Sequence, residues 1–232
     1  MKIHKGEKVA LIWGADSVLG SKLIDLLLFH SAYDEVKILT HQKLSLKHRK
    51  LKQFQLKEGK LIEAKEWFYG NDLFLISVKE FHNSLTKKEL HSNNCVIPSQ
   101  IAKMCLENGV NQVLCLSNYG ANENSPLFPL RILGALEKEI KKMDFWAIHF
   151  FQPVFLMKKQ ESTGFQRVFI KTVDKVIEKI TGSNLNKLKP MHPQTIAQSM
   201  ISAAQKLEKG VFYHTNEEFQ KIEDLNEELS TK

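Results

Sequence analysis

The sequence predicts an α/β protein built on a doubly wound parallel sheet, and three observations support this. Short apolar runs alternate with helical apolar spacing, as in parallel strands joined by crossover helices. The first run, residues 9–12, is continuously apolar, which is typical of a strand buried on both faces. It leads directly into a glycine-containing turn and a helix. We therefore expect one domain, with a sheet core at about residues 7–155 and a small C-terminal lobe at about 156–232.

The elements of the sheet core follow from apolar spacing and from turn residues. Leu19, Leu23, Leu26 and Leu27 fall on one helical face, Gly109 suits the left-handed end of a helix, and Pro153 ends the last strand. Pro98 fits the first turn of the second helix. Strands are predicted at 8–13, 35–40, 60–64, 72–78, 112–117 and 145–151, and helices at 17–30, 99–107 and 131–143, the strand at 60–64 being the least distinct.

The pattern changes after Pro153. An amphipathic helix is predicted at 165–181, an extended break at 189–193, a helix at 195–207, a short strand at 211–214 and a final helix from 217. In doubly wound proteins ligands bind in the crevice at the carboxyl ends of the strands, and we expect this small lobe to close over it.

Composition excludes several classes of protein. Hydrophobic residues make up 43% and charged residues 25% of 232 residues, which excludes disorder and collagen-like repeats. No apolar run approaches the roughly 18 residues that a spanning helix needs. The amino terminus lacks the apolar core of a signal peptide, so we expect a cytoplasmic protein. Three cysteines, ten residues apart, and histidines without metal-ligand spacing indicate no disulfide framework and no metal site.

The net charge of +7 is concentrated between residues 41 and 60. One interpretation is a phosphate-bearing partner, and the other is a solvated basic face without a partner. No recognition helix or aromatic-interleaved strand supports a nucleic-acid partner. Seven basic residues face one acid, Glu58, in this stretch: Lys43, Lys47, Arg49, Lys50, Lys52, Lys57 and Lys60.

The turn at residues 14–20, GADSVLG, carries the clearest functional signal. A glycine turn between a first strand and its helix is where such a sheet holds a pyrophosphate, because the helix N-terminus offers unpaired N–H groups. The alternative is a plain tight turn in which Gly14 supplies a positive φ. The spacing fits neither a P-loop nor the GxSxG elbow of hydrolases.

Four stretches together resemble a known family: LIWGADSVLGSKLIDLLL, IAKMCLENGVNQVLCLSNYGA, RILGALEKEI and WAIHFFQPVFL. The chain resembles the atypical short-chain dehydrogenases/reductases, close to the Tat-interacting-protein and NmrA-like branches, over roughly residues 7–215. The resemblance implies a Rossmann-type fold that binds NAD(P), with a reduced substrate lobe.

The resemblance assigns a cofactor site. Gly14 and Gly20 match the outer glycines of GxxGxxG, and Ser17 stands where the middle glycine would be. The site would also include Asp16 and the backbone of Val18 and Leu19. After the second strand, His41, Gln42 and Lys43 replace the acid that NAD enzymes use for the ribose, which favours NADP(H). The alternative is that these three are ordinary turn residues.

The catalytic pair of the family is missing. Counted from Gly134 and Glu137, its tyrosine position holds Pro129 and its lysine position holds Leu133. Ser117 matches the supporting serine, and Tyr119 is the nearest tyrosine, so these two are the candidate catalytic residues.

Three functional hypotheses follow. The first is an NADP(H)-binding oxidoreductase of the atypical short-chain type with an unknown substrate. The second is a catalytically inactive nucleotide sensor or scaffold that binds a protein partner. In the third, Asp16 and Ser17 close the site to dinucleotides.

Overall fold

The computed structural model describes residues 8–40, 43–56, 67–76, 86–154, 191–206 and 208–230. Its elements alternate as expected for an α/β protein. The strands are β1 (Lys8–Trp13), β2 (Tyr33–Thr40), β3 (Leu51–Gln55), β4 (Asp72–Leu75), β5 (Gln112–Leu116), β6 (Ala147–Gln152) and β7 (Gly210–Thr215). The helices are α1 (Val18–Phe29), α2 (Lys87–His91), a π-helical segment (Ser92–Val96), α3 (Ile97–Glu107), α4 (Phe128–Lys141), α5 (Pro193–Gln205) and α6 (Asn216–Ser230).

The seven strands form one parallel sheet in the order β3-β2-β1-β4-β5-β6-β7. The chain winds outward from β1 to β3, then crosses back to place β4 on the other side of β1. The strand order therefore reverses between β1 and β4, which is the switch point where ligands bind in open α/β sheets. This topology confirms the predicted doubly wound Rossmann-type fold.

A helical layer covers each face of the sheet. Because successive strand side chains point to opposite faces, β1, β2, β4, β5 and β6 each supply residues to both cores. Ile12 and Phe151 pack with α1, α5 and α6 on one face, whereas Leu11 and Phe150 pack with α2, α3 and α4 on the other. Within the described residues, no helix is long and apolar enough to cross a membrane.

One strand was not predicted from the sequence, and one predicted helix differs from the structure. Leu51–Gln55 forms the strand β3 beside β2, and the strand predicted at 60–64 lies outside the described residues. The helix predicted at 99–107 is part of a longer run that begins at Lys87 and passes through the π-helical segment. Pro98 therefore lies inside this run, directly after the π-helical segment, where the regular bonding pattern is already interrupted.

The described residues after 190 belong to the sheet and its layers. β7 pairs in parallel with β6, and α5 packs against α1. The predicted helix at 165–181 lies outside the described residues. The small lobe at about 156–232 stays a prediction for its undescribed part.

A buried polar cluster joins the amino ends of the central strands. Asp72, at the start of β4, accepts hydrogen bonds from Lys8 Nζ at 2.9 Å, Tyr33 Oη at 2.5 Å and Gln112 Nε2 at 2.5 Å. Lys8 Nζ also donates to the carbonyl of Ala204 at 2.7 Å, which ties α5 to the sheet. Buried charges are tolerated when they are paired and hydrogen-bonded, as here. The cluster lies at the amino ends of the strands, at the opposite end of the sheet from the switch point.

Candidate functional site

The candidate site lies at the carboxyl ends of β1, β4 and β5, where the strand order reverses. β1 delivers the turn that begins at Gly14, β4 ends at Leu75, and β5 leads into Ser117. Parallel strands bring these ends to one edge of the sheet, and the N-terminus of α1 opens onto that edge.

The glycine turn is held by Ser17. Gly14 has a φ of 95°, which favours glycine, and its carbonyl accepts a hydrogen bond from the Ser17 hydroxyl at 2.8 Å. The same hydroxyl accepts from the Gly20 N–H at 2.9 Å and so caps α1. A Cβ on Gly20 would collide with the Gly14 carbonyl. Turn geometry and close helix packing therefore explain both glycines of the motif.

The turn leaves donors for an anion. The first N–H groups of a helix have no partner inside the helix, and Ser17 satisfies only that of Gly20. Within the described residues, the N–H groups of Val18 and Leu19 have no hydrogen-bond partner and lie at the positive end of the helix dipole, which fits a pyrophosphate. Asp16 is exposed in the same turn and adds a negative charge at its rim.

The end of β2 offers one described basic side chain. Lys43 is exposed after β2, and His41 and Gln42 lie outside the described residues. Part of the basic stretch has structural partners: Lys50 Nζ donates to the Tyr33 carbonyl at 2.7 Å, and Lys52 Nζ lies 2.5 Å from Glu35.

A buried carboxylate lies beside Ser117. The Ser117 hydroxyl donates to Glu137 Oε1, and Gln152 Nε2 donates to the same oxygen at 2.8 Å. The three residues come from the carboxyl end of β5, from α4 and from the end of β6. Burial raises the pKa of Glu137, and the hydrogen bonds from Ser117 and Gln152 act in the opposite direction. Its position beside the carboxyl ends of β5 and β6 makes Glu137 a further candidate residue of the site.

The other residues considered for catalysis are not part of the cluster formed by Ser117, Glu137 and Gln152. Tyr119 lies in the turn after β5, where its N–H donates to the Pro153 carbonyl at 3.1 Å. Within the described residues, its hydroxyl has no bond to Ser117 or to a lysine. Pro129 occupies the first turn of α4 and Leu133 is buried on the same helix, so neither position carries an ionisable group.

Glu137 was not among the predicted site residues. Its sequence signal is its spacing: it follows Leu133 by four residues and therefore lies on the same buried face of α4. Among the described residues, no group of three histidine, cysteine, aspartate or glutamate side chains is placed to hold a metal ion.

Comparison with known proteins gives similarity in structure alone. No family model matches the sequence, and no curated protein matches it. The Bordetella bronchiseptica enzyme WbmG in complex with NAD has a TM-score of 0.63 at 14% identity, over 96% of this chain and 79% of its own. A short-chain dehydrogenase from Streptomyces avermitilis has a TM-score of 0.62 at 15% identity, over 100% and 97%.

A third structure is similar to the same extent. UDP-N-acetylglucosamine 4-epimerase from Methanobrevibacter ruminantium M1 has a TM-score of 0.62 at 18% identity, over 96% of this chain and 83% of its own. The chain has a Rossmann-type α/β fold like that of these three structures. At these identities the likeness shows the fold, and the Tat-interacting-protein or NmrA-like subtype stays a prediction.

Proposed function

We propose that this protein binds a nicotinamide dinucleotide at the crevice, with NADP(H) preferred over NAD(H). The observation that carries the proposal is the Ser17-capped turn, which leaves the N–H groups of Val18 and Leu19 at the switch point of the sheet. These donors would hold the pyrophosphate. That solved structures of the same fold bind NAD supports the same ligand class.

The preference for NADP(H) rests on charge at the end of β2. The segment Thr40-His41-Gln42-Lys43 contains no acid to hold the ribose hydroxyls of NAD, and Lys43 is exposed there. An ammonium group at this place favours the 2′-phosphate of NADP(H).

The proposal is tested by titration calorimetry with NADPH, NADP and NADH. We expect Lys43→Glu to weaken NADPH binding by about tenfold, since a charge-assisted contact becomes a repulsion, and to leave NADH binding unchanged. Lys47→Glu, in the same exposed segment, is the matched control. Equal losses in both variants would show that the effect is non-specific, and no binding of any dinucleotide at millimolar concentration would refute the proposal.

The activity that we propose is oxidoreduction of a carbonyl or hydroxyl substrate. The bound dinucleotide would supply the redox equivalents, and Ser117 would contact the substrate oxygen. Changing Ser117 to Ala should then lower turnover of a carbonyl or quinone probe, whereas Tyr119→Phe tests whether the phenol contributes at all.

A second candidate is a catalytically inactive nucleotide sensor or scaffold with a protein partner. The observation in its favour is that Pro129 and Leu133 remove both ionisable groups of the family pair from α4. A protein of this kind would bind dinucleotide and turn over none of the probes, and changes in the turn at residues 14–20 would weaken partner binding.

The third hypothesis, a site closed to dinucleotides, has its own test. Ser17→Gly combined with Asp16→Ser removes the hydroxyl and the exposed carboxylate from the turn. Dinucleotide affinity that is present in this double variant and absent in the parent would support closure by these two residues, and affinity absent in both would refute it.

A further inference from the structure

The cluster of Ser117, Glu137 and Gln152 is the most unusual arrangement of polar side chains at the crevice. Glu137 is almost completely buried, at 7% exposure, and no lysine or arginine forms an ion pair with it among the described residues. Its Oε1 instead accepts two neutral donors, one from each of the two strand ends beside α4. An unpaired carboxylate is costly to bury, so the arrangement favours a group that can hold a proton.

We propose that Glu137 is a positioning residue that controls the direction of the Ser117 hydrogen bond. The inference rests on the proposed function, in which Ser117 contacts the oxygen of a carbonyl substrate, and we call the place of that contact the carbonyl subsite. It assigns no bond-making step to Glu137.

Glu137 controls the direction of the Ser117 hydrogen bond because its two protonation states offer different hydrogen-bond donors. A carboxylate only accepts hydrogen bonds, so ionised Glu137 takes the Ser117 hydroxyl proton and leaves no donor for a ligand. A protonated Glu137 can donate to Ser117 Oγ, which frees the Ser117 O–H for an oxygen in the crevice. A carbonyl ligand should therefore bind together with one proton.

Within the part of the chain that the structure describes, two titratable groups, Lys141 and Cys115, lie near Glu137. Lys141, one turn further along α4, lowers the pKa of Glu137, and the Cys115 thiol on β5 is buried and neutral because burial raises its pKa. Gln152 on β6 is neutral. Proton uptake on ligand binding is therefore expected to occur at Glu137.

The test uses NMR of protein labelled with ¹³C at the glutamate carboxyl groups, with Glu137→Gln to assign the signal. Cyclohexanone is the probe, titrated at several pH values with and without saturating NADP. We expect cyclohexanone to raise the pKa of Glu137. Its own affinity should fall about tenfold, or about 1.4 kcal/mol, as pH rises through that pKa, because ionised Glu137 takes the Ser117 hydroxyl proton.

Two variants separate this role from a structural one. Ser117→Ala keeps Glu137 and Gln152 but should abolish the response of Glu137 to cyclohexanone. Glu139→Gln changes an exposed glutamate of α4 that pairs with Lys142, and it should leave the response intact. Glu137→Gln should bind cyclohexanone with an affinity that no longer depends on pH.

The outcomes distinguish this inference from the proposed function. No cyclohexanone binding at any pH, or an unchanged pKa of Glu137 in its presence, would overturn the carbonyl subsite even where NADP binds. Absence of NADP binding would refute the proposed function alone, because the response of Glu137 to cyclohexanone is also measured without the dinucleotide.

Discussion

Acid should destabilise this protein through His149, a buried histidine in the middle of β6. Its ring stacks on Phe212, with centroids 4.8 Å apart, and its Nδ1 lies 3.1 Å from His214 Nε2. His214 Nδ1 in turn lies 2.8 Å from Glu218 Oε2. Within the described part of the chain, His149 Nε2 is buried without a hydrogen-bond partner. A second proton on this ring would therefore be buried without an acceptor.

The size and sign of the effect follow from the pKa. Burial first, and then the neighbouring His214 and Lys206, lower the pKa of His149 from 6.5 to about 4. The unfolded chain thus binds a proton at a higher pH than the folded protein does. The stabilisation is present above pH 6.5 and is lost as pH falls toward 4, and it amounts to about 2 kcal/mol between pH 7 and pH 5.

The assay is urea unfolding of the wild type and of His149→Leu at several pH values from 7 to 5. Since leucine does not titrate, we expect the free energy of unfolding of the variant to fall by about 2 kcal/mol less than that of the wild type over this range. His91→Gln, at an exposed position on α2, is the control and should follow the wild type.

The comparison between pH values removes the constant cost of changing a core residue. Equal falls in the free energy of unfolding for wild type and His149→Leu would refute the assignment, because the acid sensitivity would then arise elsewhere. A larger fall in the variant would show that His149 is charged in the folded protein.

Three further predictions concern stability and accessibility. Asp72→Ala should lower the free energy of unfolding by about 3–5 kcal/mol, or Tm by about 6–20 °C, because it leaves the Lys8 ammonium buried without its carboxylate. In thermal unfolding, the double variant Lys8→Met with Asp72→Leu should lose less stability than Asp72→Ala. In urea unfolding, Gly134→Ala should lower the free energy of unfolding by at least about 1–3 kcal/mol, because its Cβ would collide with the backbone at Asn122 and Glu123. The control Ala135→Gly, on the same helix, should lower it by about 1 kcal/mol. All three cysteines, Cys95, Cys105 and Cys115, are buried, and burial raises the pKa of each thiol. A thiol reagent should therefore modify them only as fast as the protein unfolds, and rapid labelling of the native protein would contradict their placement.

The strands that the sequence predicts well are those buried on both faces. β1 and β5 contain continuous apolar runs, and β6 is apolar except for His149 and Gln152; burial at nearly every position requires such a composition. β3, with the sequence LKQFQ, is an edge strand that is only partly buried, so its polar residues give no apolar pattern to detect.

One missed boundary did have a local signal. Thr86 and Glu89 form a reciprocal capping box at the start of α2, and the spacing Thr-x-x-Glu is visible in the sequence. The polar residues 91–94 and Pro98 outweighed this signal in the sequence, because they indicate a helix that begins later. The π-helical segment that joins the two parts depends on packing against α4, and sequence spacing alone does not predict it.

The glycine turn of the candidate site could be recognised in the sequence, whereas its buried carboxyl group could not. A glycine turn between a strand and a helix is a local feature, so Gly14, Ser17 and Gly20 could be placed from sequence. A glutamate on an amphipathic helix is normally solvent-exposed. Glu137 is buried only because the ends of β5 and β6 bring Ser117 and Gln152 onto it, which is a tertiary effect.

The position of α4 connects these observations. Gly134 lets the helix approach the backbone of Asn122 and Glu123 closely. The same placement brings Glu137, three residues later, under Ser117. A helix that had lost its role at the crevice would be free to exchange this costly carboxyl group for an apolar residue. That Glu137 is instead held by Ser117 and Gln152, while Leu133 one turn earlier is apolar, favours a crevice that still recognises a polar ligand.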